Sequence, residues 1–240
     1  MSILILIGVS VLFNLYAIGL ILLRPKLFKV KLYRPMIKNF YLALLPLGWL
    51  LLVLGIYTGL TYITALTQLL WLHSVALVIL TMGLLAWLLL LPNSAYLVTE
   101  LNLNHREQDT KEVPIWYDII SVLSFALSGV LDNSLNIVIL QYTYFIVVDS
   151  NAFVTAHLVL FWLVTILLIL MVSFGVYLGR YIRFNSWDIL HPTSFLHKFF
   201  AHFKVIRNVK SGLLFTLTYG VFLMLSYAST YLLPISEIFR

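Results

Sequence analysis

Long apolar runs alternate with short polar segments along the whole chain, and this alternation is its main structural signal. Six runs of about twenty residues carry few charged side chains; they cover residues 3–23, 40–60, 69–91, 116–136, 152–179 and 212–233. An α-helix rises ~1.5 Å per residue, so about twenty residues cross the ~30 Å hydrocarbon core of a bilayer. The pattern therefore predicts an all-α protein, a polytopic bundle of six transmembrane helices.

The composition supports this class. Hydrophobic residues make up 62% of the chain and charged residues 10%, whereas a soluble domain has about 45–50% apolar and roughly 25% charged residues. The six runs occupy most of the 240 residues, so we predict one transmembrane domain over residues 1–240. No basic residue precedes Ile3 and no small-residue cleavage site follows the first run. Residues 3–23 are therefore interpreted as a retained helix.

The basic residues predict an orientation. Fourteen of the 15 Lys and Arg residues lie in the first, third and fifth connections between the predicted helices. Short loops rich in Lys and Arg stay on the cytoplasmic side, so both termini are expected outside. The net charge of +6 then reflects topology and attraction to anionic lipids of the inner leaflet. Nucleic-acid binding is not indicated.

Residues 194–209 have the pattern of an amphipathic helix. One side carries the apolar residues Phe195, Leu196, Phe199, Phe200, Phe203 and Ile206, and the other carries His197, Lys198, Lys204 and Asn208, with Arg207 at the boundary. Such a helix lies in the membrane interface, with its cations among anionic headgroups. We expect it to anchor the chain at the inner leaflet. It is also a candidate wall of a lipid-accessible site.

Ionisable residues are absent from the centres of the predicted spans, where the polar groups are Asn14 and several Ser and Thr residues. This weighs against an ion-coupled transporter, because charged residues inside a membrane usually mark ion pathways. His73, Asp132 and His157 are expected near the outer face, as solitary interfacial residues. No metal site is predicted, and the chain has no cysteine. No cofactor is indicated.

Polar residues cluster instead at the cytoplasmic ends of three predicted helices, in residues 91–100, 114–118 and 175–188. Asp118 and Glu100 are candidate acid–base or cation-binding residues. Arg180 and Arg183 are three residues apart and share a helix face, so they are candidate ligands for a phosphate. The remaining candidate ligand-binding residues are Asn93, Tyr96, Tyr177, Asn185, Trp187 and Asp188.

Each candidate also has a structural interpretation. The two arginines can pair with Glu100, Asp118 or Asp188 and hold the helix ends together. Asn93 can satisfy backbone carbonyls that Pro92 leaves without a partner. On the fourth helix, one face carries the residues Asp118, Ser121, Phe125, Ser128 and Asp132. Small polar residues on one face indicate close helix packing, or alternatively a polar path that opens toward the cytoplasm.

Three motifs resemble an uncharacterised bacterial membrane family, domain of unknown function 1361. They are Leu-Pro-Asn…Tyr…Thr-Glu at 91–100, Trp-Tyr-Asp at 116–118, and Gly-x-Tyr-Leu-Gly-Arg…Arg-Phe-Asn-Ser-Trp-Asp at 175–188. The chain departs from the family pattern at Ser94-Ala95-Tyr96, where Ala-Pro-Tyr is usual. The resemblance implies a multi-pass protein of the bacterial plasma membrane, and it implies no activity.

Three functions remain open from the sequence. The first is an interfacial site for an anionic lipid or another phosphate-bearing amphiphile, at which Arg180 and Arg183 bind the anion. The second is a non-catalytic accessory subunit, which would have a membrane-protein partner. The third is a small-solute transporter. Whether the protein is an enzyme is not decided by any motif.

Overall fold

The computed structural model describes residues 3–100, 113–147, 155–182 and 192–235, and these residues form helices without any strand. Within these ranges eight α-helices follow one another: α1 (Ile3–Phe28), α2 (Arg34–Thr67), α3 (Leu70–Leu90), α4 (Pro92–Tyr96), α5 (Ile115–Val147), α6 (Thr155–Tyr177), α7 (Pro192–Phe203) and α8 (Ile206–Ile235). A 3₁₀ helix at Leu97–Glu100 follows α4, and a π-helical turn at Leu178–Ile182 follows α6. Six segments are long and apolar enough to cross a membrane. The predicted all-α class and six spans are confirmed.

Two helices extend well beyond the predicted apolar runs. Residues 61–68 were expected to connect two helices, but α2 continues to Thr67 and only Gln68 and Leu69 separate it from α3. The hydroxyls of the threonines in this last part of α2 donate to carbonyls four residues earlier, at 2.8 Å. Such bonds let polar residues continue a helix. Residues 137–147 were likewise predicted as a connection and belong to α5.

The chain changes element at Pro92 without leaving the bundle. Proline has no N–H to donate within a helix and is favoured at a helix start, so α3 ends at Leu90 and Pro92 begins α4. The Leu91 carbonyl accepts bonds from the Ser94 amide at 3.1 Å and the Ser94 hydroxyl at 2.7 Å. Ser94 therefore satisfies the Leu91 carbonyl at this turn. The short α4 then packs against α2, α5 and α6.

Helix α5 forms the polar axis of the bundle. It contacts α1, α2, α4 and α8, and its buried side chains include Asp118, Ser121, Ser124, Ser128, Asp132, Asn133, Ser134 and Asn136. Several of these side chains hold neighbouring helices. The Trp87 indole on α3 donates to Asn136 at 2.9 Å, and Gln141 bonds both Thr165 on α6 and Tyr227 on α8. Polar side chains of α5 thus connect this helix to α3, α6 and α8.

The amphipathic segment near 194–209 divides into two helices. Helix α7 ends at Phe203, and Ile206, Arg207 and Asn208 belong to α8, so the prediction of one continuous helix is wrong. The Asn208 side chain donates to the His202 carbonyl at 2.9 Å and closes the last turn of α7. The apolar side of α7 is also partly used within the protein, since Phe199 and Phe203 contact Phe174 of α6.

Candidate functional site

The candidate site residues that the structure describes lie at one end of the bundle, which we call the basic end. Here α1, α6 and the Leu97–Glu100 turn end and α2, α5 and α8 begin, and most of the Lys and Arg residues lie in or beside these termini. Contacts between side chains of different helices confirm that these termini meet. The basic end thus gathers residues that are far apart in the sequence.

Glu100 connects two helices at the basic end. Its Oε1 accepts a hydrogen bond from Asn39 Nδ2 at 3.1 Å and lies 3.9 Å from Arg180 Nη1. The Glu100 side chain is 14% exposed, whereas that of Arg180 is 35% exposed. The pairing of Arg180 with Glu100, one of the structural interpretations of the sequence, is therefore present. About a third of the Arg180 side chain remains exposed.

Asp118 forms an ion pair with Arg24, one of the cations in the first connection, which the sequence indicates only as a signal of membrane orientation. Its Oδ1 accepts from Arg24 Nε at 2.8 Å and its Oδ2 from Arg24 Nη2 at 3.4 Å. Both side chains are buried, and the Asp118 carboxylate is 0% exposed. The adjacent Tyr117 hydroxyl donates to the Leu20 carbonyl at 2.8 Å. Arg24 and Asp118 therefore join the end of α1 to the start of α5.

Two of the three motifs that carry the family resemblance pack directly against each other. Gly175 lies against the Pro92 ring, at a position where any side chain would overlap the ring. The 91–100 and 175–180 motifs also meet through Glu100 and Arg180. Asn93 and Tyr96 are half-buried in α4. Close packing at a glycine thus explains one position of the third motif.

Tyr177 holds the junction between α7 and α8. Its hydroxyl lies 2.9 Å from His202 Nε2 and donates to the Asn208 carbonyl at 3.1 Å. Its ring is buried and stacks on Tyr181 at a centroid distance of 4.6 Å. His202 and Asn208 were not singled out as partners of Tyr177 because the predicted continuous helix hid the turn between them.

Four predicted ligand-binding residues, Arg183, Asn185, Trp187 and Asp188, lie outside the described residues. The same holds for His105 and His191. Within the described ranges, no group of three or more His, Asp or Glu side chains is arranged to hold a metal ion.

Asp132 lies deep in the bundle, which corrects its predicted place near the outer face. Because α5 continues to Val147, Asp132 is near the middle of this helix, about 20 Å or more from either end at ~1.5 Å per residue. Its Oδ1 accepts from Asn14 Nδ2 at 2.7 Å, and Asn14 is near the middle of α1. An ionisable residue is therefore present near the middle of a span, so the predicted absence of such residues no longer weighs against an ion-coupled transporter.

An open, shallow cleft of about 470 Å³ lies along the exposed face of α2 at the basic end. Its lining consists of Arg34, Ile37, Lys38, Tyr41, Leu42 and Leu45. Arg34 and Lys38 are exposed, and neither forms a hydrogen bond or ion pair with any part of the chain that the structure describes. In the sequence, both cations indicate only the orientation of the chain in the membrane. Their spacing of four residues also places them on one face of a helix.

Comparison with known proteins places part of the chain in a family. A family model described as "Protein of unknown function (DUF1361)" matches residues 38–226. No curated protein and no solved structure matches the chain. The match includes all three motifs and the segment of α2 that carries most of the cleft.

Proposed function

The chain belongs to the DUF1361 family, whose description assigns no activity, and we propose that it binds an anionic amphiphile with a phosphate-bearing headgroup at the basic end. The observation that carries this proposal is the cleft on α2, whose lining combines the cations Arg34 and Lys38 with the largely apolar side chains Ile37, Tyr41, Leu42 and Leu45. An amphiphile has the same division between a charged head and an apolar chain. This proposal extends the interfacial lipid site predicted from the sequence to residues of α2.

The charged part of the cleft suits an anion. Arg34 and Lys38 are exposed and have no carboxylate partner among the described residues, so their charges are available to a ligand. Arg34 is also the first residue of α2, where the helix dipole favours negative charge. A guanidinium binds phosphate in bidentate fashion, and an ammonium adds a point charge.

The apolar part of the cleft continues along the same helix stripe. Arg34, Lys38, Tyr41 and Leu45 follow at i, i+4, i+7 and i+11, and these positions lie on one side of an α-helix. Eleven residues of helix extend about 16 Å. A headgroup bound at Arg34 and Lys38 would therefore place its chain along Tyr41 and Leu45.

We further propose that the basic end faces the cytoplasm and that the membrane is the plasma membrane. The distribution of Lys and Arg supports this orientation, which would place the cleft in the leaflet that carries most anionic lipid. Lys198, Lys204 and Arg207, exposed on α7 and at the start of α8, would add to the attraction.

The orientation predicts opposite labelling of two single-cysteine variants, because the native chain has no cysteine. Thr67→Cys is at the far end of α2 and Lys204→Cys is at the basic end, and both native side chains are exposed. In intact cells a membrane-impermeant maleimide should label Thr67→Cys alone. Lys204→Cys should react only after permeabilisation. The reverse pattern would place the basic end outside.

The cleft predicts a loss of anionic-lipid retention in Arg34→Gln/Lys38→Gln. A direct hydrogen bond to a charged group contributes about 1.5–3 kcal/mol, so the double variant should retain labelled phosphatidylglycerol at least about thirtyfold less tightly. Binding is measured on detergent-purified protein in about 0.5 M NaCl, where the screening length is on the order of 4 Å. At this salt concentration diffuse attraction is weak and direct contacts dominate.

The matched control is Arg207→Gln/Lys210→Gln, which removes the same charge from two exposed residues near the start of α8. It should change retention by less than about threefold under the same conditions. Equal losses in both double variants would contradict a built site. Loss in Arg180→Gln alone would instead move the anion to the Glu100–Arg180 pair. Co-purification of a second polypeptide with a lipid-free protein would favour the accessory-subunit function.

A further inference from the structure

Three polar residues between α1 and α5 form an oxygen-rich centre in the interior of the bundle: Ser10, Asn14 and Asp132. We infer that this centre binds a monovalent metal cation, with Na⁺ as the best match. The proposal concerns a different ligand and a different part of the molecule from the cleft on α2, and it does not depend on the lipid site.

The hydrogen bonds of the centre use up its amide donors. Asn14 Nδ2 donates to the Ser10 carbonyl at 2.9 Å and to Asp132 Oδ1 at 2.7 Å. An amide nitrogen has two hydrogens, so it has none left to donate. One nitrogen thus joins the Ser10 backbone to the Asp132 carboxylate. Among the side chains of the centre, only the Ser10 hydroxyl retains a hydrogen to donate.

Three oxygen atoms of the centre remain without a partner within the described part of the chain. They are Ser10 Oγ, Asn14 Oδ1 and Asp132 Oδ2, and each atom is buried. Ser10 is 1% exposed and Asp132 is 0% exposed. Buried polar atoms are nearly always satisfied, because an unsatisfied one costs about 1–3 kcal/mol. Asn14 Oδ1 and an ionised Asp132 Oδ2 can only accept, and the Ser10 hydroxyl can accept as well as donate, so an electropositive ligand would satisfy all three oxygens.

The Ser10 hydroxyl is one of several buried hydroxyls in the described residues that have no hydrogen-bond partner, together with those of Ser121, Ser134 and Thr216. Ser128 Oγ and Ser173 Oγ each donate to a carbonyl of the preceding turn, at 2.8 Å, which is the common arrangement for serine inside a helix. Ser10 makes no such bond. Its oxygen lone pairs and its side-chain rotamer are therefore available to a ligand between α1 and α5.

The ligand set and its charge indicate the class of cation. Carboxylate, amide and hydroxyl oxygens suit hard cations. Arg24, the buried cation of α1, is bonded to Asp118 and lies about 15 Å along α1 from Asn14, too far to neutralise Asp132. A monovalent ion would balance the single carboxylate, whereas a divalent ion would leave a net charge in a low-dielectric interior. Na⁺ therefore fits better than Mg²⁺ or Ca²⁺.

The test measures binding of ²²Na⁺ and the unfolding midpoint of the detergent-purified protein. Na⁺ replaces N-methylglucamine at constant ionic strength, over a range up to about 0.5 M. In the wild type the midpoint should rise with Na⁺, because a ligand that binds only the folded state stabilises it. Asp132→Asn, which keeps the acceptor for Asn14, should lower ²²Na⁺ binding at least tenfold and abolish the rise. Ser10→Ala should weaken binding severalfold.

Ser128→Ala is the matched control for Ser10→Ala. It removes a buried hydroxyl from the same helix face as Asp132, but one that already has a partner, so the Na⁺ response should remain. No response of the wild type to Na⁺, K⁺ or Li⁺ would overturn the proposal, and so would an undiminished response in Asp132→Asn or Ser10→Ala. A midpoint that depends on pH through Asp132 but not on Na⁺ would assign the carboxyl to proton binding, and preferential stabilisation by a divalent ion would also overturn the assignment.

Discussion

Arg24→Ala is expected to destabilise the bundle by about 3–5 kcal/mol, because it leaves the Asp118 carboxylate buried without its countercharge. Arg24 is 6% exposed and Asp118 is 0% exposed, so water reaches neither group to compensate. Asp118→Ala should cost a similar amount for the same reason. The measurement is the free energy of unfolding in mild detergent, from denaturant titration of the helical signal.

The double variant Arg24→Met/Asp118→Leu distinguishes the contribution of the ion pair from the cost of leaving one charge buried alone. It removes both charges and roughly keeps the volume, so it should be much closer to the wild type than either single variant. Lys26→Ala is the control, since Lys26 is exposed on the same helix and should change stability by less than about 0.5 kcal/mol. Additive effects of the two single substitutions would show that the pair does not couple α1 to α5. The result also bears on the prediction that Asp118 is an acid–base residue. If the ion pair is coupled, the Asp118 carboxylate has a structural role that does not require such chemistry.

Gly129→Ala is expected to destabilise the protein by about 1–3 kcal/mol or more, through overpacking. A Cβ at this position would lie 2.6 Å from the Ser94 carbonyl oxygen and 2.9 Å from Leu97 Cβ. A backbone oxygen cannot rotate away, so α4 would have to separate from α5. Gly175→Ala should act in the same direction, because its Cβ would overlap the Pro92 ring. Unfolding in detergent again provides the measurement.

Gly55→Ala and Gly59→Ala on α2 are expected to change the free energy of unfolding in the opposite direction. Nothing lies within 4 Å of a Cβ built at either glycine, and alanine is favoured over glycine inside a helix by about 0.5–1 kcal/mol. Both substitutions should be neutral or stabilising. If all four substitutions had equal effects, helix propensity rather than contact with α4 would determine them.

The helix count was predictable because hydrophobic length is a local property. Each of the six apolar runs coincides with a helix that is able to cross a membrane. The helix ends were not predictable to the same degree. Thr64 and Thr67 lower the local hydropathy, yet their hydroxyls bond within the helix and α2 continues through them. The same error at the end of α5 moved Asp132 from the middle of its helix to the predicted outer face.

The candidate site was predictable as a region and only partly as contacts. Glu100, Asp118 and Arg180 are all at the basic end, and Arg180 has one of its expected partners. The sequence did not identify Arg24 as the partner of Asp118, because it is one of six cations in one segment. All six fit the pattern of a cytoplasmic loop, and no local feature distinguishes Arg24 from the others. Asn39, which bonds Glu100, carried no signal beyond its proximity to that segment.

Composition and hydrophobic period by themselves determined the class of this protein, the number of its long helices and the end at which its cations gather, because each depends on residues adjacent along the chain. Only the tertiary structure decided which polar groups meet. Arg24 with Asp118 and Asn14 with Asp132 are pairs separated by about a hundred residues, and their pairing depends on which faces of α1 and α5 pack together. The sequence gives no reason for a glycine at 129 or 175. The structure gives one, because residues of α4 pack so closely against each glycine that a Cβ would overlap them.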